Sequence, residues 1–160
     1  MYPAHQGLRA PGLILGAGLG GFLDGIVLHQ ILQWHHMLSS EGRYPDSTVA
    51  GLETNTLADG LFHAAAWLAV VAGAALLWHR TDQWRHVMSG RALTGWMLVG
   101  WGLFNLIEGT VDHHILGIHH VREGADHTAW NLSFLAFGAG LVVIGWLTAH
   151  SARRVLELSG

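Results

Sequence analysis

Four long apolar runs divide the chain, roughly Gly12–Trp34, Leu57–Trp78, Ala92–Ile118 and Thr128–His150, with polar stretches between them. Each reaches the roughly 20 residues that a bilayer-spanning helix needs. The pattern predicts an all-α fold, an integral membrane four-helix bundle in which residues 1–160 form a single membrane domain with spans of about 12–36, 57–79, 92–118 and 128–150. A cleaved leader is the competing reading of the first run, but its apolar stretch continues through Asp24 and lacks an A-x-A site.

Polar residues interrupt the first and third runs in the same order. Gly21–His36 reads GFLDGIVLHQILQWHH and Phe104–His120 reads FNLIEGTVDHHILGIHH, so that Glu108 stands for Asp24, Gly109 for Gly25, His113 for His29, and His119-His120 for His35-His36. All five pairs are 84 positions apart (108 − 24 = 113 − 29 = 120 − 36 = 84). A single offset for five matched positions points to an internal duplication of two helix hairpins, 12–79 and 92–150. In the second and fourth runs, Trp146 aligns with Trp78 and Asn131 with His63 at an offset of 68.

Composition agrees with a membrane class: 51% of the 160 residues are hydrophobic and 12% charged. The chain has no Lys, and Arg9, Arg80, Arg85, Arg91, Arg153 and Arg154 fall on one side against Arg43 and Arg122 on the other. That asymmetry predicts a multi-pass protein of a bacterial inner (cytoplasmic) membrane with both termini cytoplasmic. Trp34 and Trp130 fall at the outer boundary, and Trp78, Trp84, Trp96 and Trp146 near the inner one. The net charge of −3 gives no sign of a nucleic-acid partner, and the absence of Cys excludes disulfides and thiolate metal sites. In the first run Gly16-x-x-x-Gly20 and Gly21-x-x-x-Gly25 predict close helix packing at the centre of the bundle, and such glycine faces also allow a homodimer.

Counting about 1.5 Å per residue from the outer helix ends sorts the ionisable groups into layers. The outermost holds His35, His36, Asp59, His119, His120, Asp126 and His127. About 10 Å further in come His29, His63 and His113, with His114 beside the last. Asp24 and Glu108 lie near mid-membrane and Asp112 between. Thr56-Leu57-Ala58-Asp59 has the form of a helix start, which gives Asp59 a second, purely local explanation. On straight α-helices the stripe holding Asp24 and His35 lies more than 100° from the one holding His29 and His36. All these groups reach one centre only if the helices break near the doublets. His5, His79, His86 and His150 lie at the termini or the inner boundary and are assigned no role.

Ionisable groups within a bilayer are costly and mark a function. Imidazoles and carboxylates without thiolates suit copper(II), zinc or iron, with copper favoured by intrinsic affinity. The leading expectation is therefore a membrane metal-binding protein with a site near the outer side, possessing His29, His63 and His113 as ligands. His35, His36, Asp59, His114, His119 and His120 would add ligands or an access route, and Asp24, Glu108 and Asp112 would form a proton relay or support the site. Partners beyond the lipid bilayer would be respiratory or metal-handling membrane proteins. Competing readings are a proton or ion translocator using Asp24 and Glu108, a metal-dependent membrane oxidoreductase, and, less favoured, a b-type haem protein with axial His29 and His113. Whether the chain is an enzyme stays open.

The two repeated segments, with DGLFH between them, resemble a bacterial family of small four-span predicted membrane proteins, domain of unknown function 2243. The resemblance covers essentially the whole chain. It implies the four-span topology and the importance of the motifs, and no mechanism.

Overall fold

The computed structural model describes residues 4–40, 42–84, 89–124 and 126–158; Arg85 and His86 lie outside the described residues. The described residues form four α-helices in sequence: α1 (Ala4–Asp24), α2 (Val49–Trp84), α3 (Gly90–Thr110) and α4 (His127–Leu158). No strand occurs among the described residues. α1 packs against α2 and α3, and α3 against α4, which makes α1 and α3 the central pair.

Both central helices change winding at the ends that lead into the histidine doublets. α1 runs on as a π-helix over Gly25–Ile31 and α3 as a π-helix over Val111–Leu116. The wider turn is seen directly in the Leu32 N–H donating to the Val27 carbonyl five residues back, at 2.8 Å. Residues five apart stand about 140° from one another on an α-helix but come to one face when the hydrogen bonds run five residues back. The π winding therefore puts His29 over Asp24 and His113 over Glu108.

Each π stretch ends in a residue with left-handed backbone, Gln33 (φ 49°) and Gly117 (φ 61°), 84 positions apart. The chain reverses there. The doublets His35-His36 and His119-His120 consequently lie in non-helical segments that fold back over the helix ends, and the first span ends at Ile31 rather than at residue 36. Glycine suits the left-handed position, whereas Gln33 adopts it without that freedom.

α2 begins at Val49, before the Thr56–Asp59 start that the sequence suggests, so Asp59 is an interior residue of α2 and not a capping one. Asn55, fully buried, holds the preceding loop: its Oδ1 accepts from Leu38 N–H (2.8 Å) and its Nδ2 donates to the Tyr44 carbonyl (2.9 Å). The two outer segments are tied to each other through Ser40 N–H to the Ile118 carbonyl and Glu123 N–H to the Trp34 carbonyl.

Burial is inverted relative to a water-soluble domain. Asp24, His29, His35, Asn55, Asp59, Asn105, Glu108, His113, His119 and Asn131 are buried, while Leu57, Trp78, Ile107 and Val143 face outward. Lipid solvates the outward residues, and polar groups turn inward because hydrocarbon offers them no partner. Among the described residues three helices are long and apolar enough to cross a membrane, Gly7–Ile31, Val49–Arg80 and His127–Ser151. α3 has a comparable length of 21 residues, but Asn105 and Glu108 interrupt its apolar run.

Glycine sets the helix separations. A Cβ on Gly16 would overlap the Met97 backbone and one on Gly100 the Leu13 backbone, so α1 and α3 touch main chain to main chain; Gly95 stands in the same way against Gly145 and Ala149 of α4. At the end of the bundle near the start of α1 the Arg80 guanidinium donates to the Gly7 carbonyl (2.6 Å) and Arg9 lies over the Trp96 ring. At the opposite end Arg122 lies over Trp34 and Trp130.

Candidate metal centre

Three histidines from the outer ends of the central pair point at one another. His29 Nε2 and His35 Nε2 stand 2.9 Å apart, and the His119 ligand atom lies within 4.8 Å of both. The His35 and His119 rings stack with centroids 4.8 Å apart.

The other nitrogen of each ring fixes its tautomer. His29 Nδ1 donates to Asp59 Oδ1 at 2.9 Å, His35 Nδ1 to the Val121 carbonyl at 2.8 Å, and His119 Nδ1 to the Met37 carbonyl at 3.1 Å. Carbonyls and carboxylates only accept, so the proton of each neutral ring sits on Nδ1 and each Nε2 presents a lone pair. Lone pairs 2.9 Å apart repel unless a proton or a cation lies between them. Two nitrogens bound to one cation at about 2.0–2.1 Å, at angles between square and tetrahedral, stand about 2.9–3.4 Å apart. The spacing of His29 and His35 thus suits either one proton shared between them or a shared cation.

Two carboxylates complete the cluster. Asp24 Oδ2 lies 3.3 Å from His29 Nε2, and Glu108 Oε1 lies 3.6 Å from His119 Nε2. Asp24 Oδ2, both Glu108 oxygens, His119 Nε2 and both His113 nitrogens have no hydrogen-bond partner among the described residues. Two further sets of ligand atoms lie within 4.8 Å of one another, Glu108 with His113 and His119, and Asp24 with His29 and Glu108. Unpaired buried carboxylates and imidazoles are expensive in hydrocarbon, and cations of the right size would satisfy them together.

His35 and His119 lie beyond the helical segments. Burial holds the His35 imidazole far below the usual histidine range, at about 2, and His119 at about 4. Both rings are neutral near pH 7, as metal ligation requires.

Around this centre sits a supporting layer. Asp59 of α2 accepts from four donors, His29 Nδ1, His36 Nδ1 (2.7 Å), the Met37 N–H (2.8 Å) and, at 3.4 Å, Gln30 Nε2. On the opposite side, Asn131 of α4 accepts from the Val121 N–H (3.1 Å) and donates to His120 Nδ1 (3.0 Å). Met37 and Val121, like His36 and His120, are 84 positions apart, so the contacts pair Asn131 with Asp59 at an offset of 72. Aromatic packing follows the same offset, with Phe62 stacked on His29 and Phe134 against His113.

Of the expected site residues, Asp24, His29, His35, Glu108, His113 and His119 come together. His63 does not join them: its Nδ1 donates to the Asp59 carbonyl of its own helix (2.7 Å), and its Nε2 packs at Gly25. Its counterpart across the offset of 72 is Leu135, which packs at Gly109, and not Asn131. His114 is exposed and donates to the Gly109 carbonyl (2.6 Å). His36 and His120 belong to the supporting layer. Asp24 and Glu108 stand within ligand distance of the imidazoles rather than below them, because the π winding brings carboxylate and histidine to one face.

Asp112 instead lines, with Glu108, an apolar cavity of about 420 Å³ on one side of the central pair; a smaller one of about 220 Å³ reaches Asp24 and Asn105 on the other. Asn55, Phe62, Phe134 and the Met37 and Val121 carbonyls carried no signal of their own as site residues in the sequence.

No match was found among curated proteins or solved structures. The family model described as predicted membrane protein (DUF2243) matches residues 11–152, and the chain belongs to that family.

Proposed function

We propose that the chain is an integral membrane metal-binding protein whose centre, near the outer side of the bilayer, holds a transition metal ion, with copper(II) the favoured occupant. The observation that carries this reading is the convergence of three Nε2 lone pairs whose rings are each pinned through Nδ1 to an acceptor that cannot donate. Metal-ligating histidines have this arrangement almost without exception, because the outer hydrogen bond fixes ring orientation and raises basicity.

Copper is favoured among divalent ions for a nitrogen and oxygen donor set without thiolate. Met37 enters through its backbone, as donor to Asp59 and acceptor from His119. A bare ion suits the cluster better than haem, since a macrocycle would have to separate the His35 and His119 rings, already stacked at 4.8 Å. In this proposal all four helices cross the membrane, α3 burying its polar face against α1 and α4, and both termini are cytoplasmic, in line with the arginine asymmetry. The centre would then face the periplasm, where it could exchange metal with respiratory or metal-handling proteins.

Elemental analysis of the detergent-purified protein, beside a His29→Ala variant and a His63→Ala variant, tests the proposal. Stoichiometric metal in the native chain and in His63→Ala, lost from His29→Ala, is the expected result. No retained metal after reconstitution with copper, zinc or iron would overturn it and leave proton or ion translocation through Asp24 and Glu108 as the better reading.

A further inference from the structure

One cation at His29, His35 and His119 leaves part of the cluster unexplained. Glu108 would keep at least one buried oxygen, and His113 both nitrogens, without a partner. His113 is 3% exposed and Glu108 5%, so bulk water does not solvate them.

The ligands divide into two equal sets by chain position. Asp24, His29 and His35 lie 84 positions before Glu108, His113 and His119 respectively, and each set contains one carboxylate, one histidine of a π-helix and one of a doublet. The halves also exchange hydrogen bonds. His35 donates to the carbonyl of Val121, and His119 to that of Met37, again 84 positions apart, as a local two-fold axis between α1 and α3 requires. Within the first set His29 Nε2 stands 3.3 Å from Asp24 and 2.9 Å from His35; in the second, the ligand atoms of Glu108, His113 and His119 lie within 4.8 Å of one another. Glu108 also belongs to a group with Asp24 and His29, which puts its carboxylate between the two sets.

Resting on the metal-binding reading above, we infer that the centre holds two transition metal ions side by side, one on Asp24, His29 and His35, the other on Glu108, His113 and His119, with a carboxylate bridging them. Paired metal sites of this kind have ions about 3.5–4 Å apart. Two cations give Asp24, Glu108 and His119 partners for their orphaned atoms and His113 a partner for one ring nitrogen, and bring positive charge to both buried carboxylates.

The two positions are not equivalent. Asp59 accepts the hydrogen bond of His29 Nδ1–H and makes that ring a stronger ligand, whereas Asn131 spends its oxygen on Val121 N–H and leaves His113 Nδ1 without a partner. The ion on the His29 side therefore binds first and more tightly.

The test uses the full chain in detergent, stripped with a chelator, loaded with copper(II) without reductant and passed through gel filtration. Copper per chain and the integrated electron paramagnetic resonance signal are then measured. Native protein should retain two coppers more than a His29→Ala, His113→Ala double variant, with a signal well below its copper content because the neighbouring spins couple. His113→Ala should retain one copper with a signal equal to its content. Glu108→Gln, which keeps the side-chain volume should His113→Ala fail to fold, should likewise lose the coupling.

A native chain that retains one copper with full signal intensity, or a His113→Ala variant that retains both, overturns the pair and leaves the single-ion reading standing. Native protein that retains no more copper than the double variant overturns both.

Discussion

Replacing His35 by alanine should lower copper affinity by more than about 100-fold, while the same change at the adjacent His36 should cost about 10-fold to 100-fold. The two residues are neighbours in a non-helical segment, yet they face different partners. His35 directs Nε2 at His29 Nε2 and is 3% exposed, whereas His36 donates to Asp59 Oδ2 and touches the centre only through that carboxylate. Loss of a group that orients a ligand typically costs 10–100-fold in metal affinity, and loss of the ligand itself costs more. His63→Ala and His114→Ala should leave affinity within a factor of about 3, since those rings bond to carbonyls of their own helices. Competition against a chromophoric copper chelator measures all four. Equal losses at His35 and His36 would mean that the doublet acts as a unit and that the assignment of Nε2 lone pairs is wrong.

The second large effect is on the fold. Gly100→Leu should destabilise the bundle by about 3 kcal/mol or more, because its Cβ would coincide with the Leu13 main chain and only separation of α1 from α3 could relieve the overlap. Gly140→Leu is the control. Nothing lies within 4 Å of the Cβ it would add, so stability should stay within about 1 kcal/mol of the native chain. Thermal unfolding in detergent followed by circular dichroism separates the two. Because the centre is assembled from residues of α1 and α3, their π extensions and the non-helical segments that follow, Gly100→Leu should also lose metal without touching a ligand. Retained metal together with an unchanged melting temperature would contradict the close approach of these helices.

The helical class and the inward burial of Asp24, His29, Glu108 and His113 were legible in the sequence for one physical reason: charge inside an apolar run is costly, and here it recurs at a fixed offset. What brings these residues together was not legible. A π-helix leaves no pattern in hydrophobicity, so the α-helical phase set Asp24 and His29 on different faces when the wider turn puts them on one. The chain reversal at Gln33 was equally silent, since glutamine does not announce a left-handed backbone as Gly117 does in the second half.

Asp59 was ambiguous because Thr56-Leu57-Ala58-Asp59 reads as a helix start; the helix in fact begins at Val49 and delivers Asp59 sideways to His29 and His36. His63 looked like a ligand by depth alone. Depth says nothing about direction, and the Asp59 carbonyl one turn earlier captures its ring. The offset of 68 between the second and fourth runs rested on Trp78 and Trp146, both outward-facing residues free to drift, whereas the buried partners of Gly25 and Gly109 follow an offset of 72.

The central claim is that imidazole Nε2 atoms bind a metal ion directly. X-ray absorption at the metal edge of the loaded native protein tests it most directly. The expected spectrum has the multiple-scattering signature of coordinated imidazole, with nearest donors at the short metal–nitrogen distance, about 2.0–2.1 Å for zinc, and His35→Ala weakens that signature. A spectrum of oxygen donors alone, unchanged between native protein and His35→Ala, would show that the ion sits elsewhere and would contradict the centre described above.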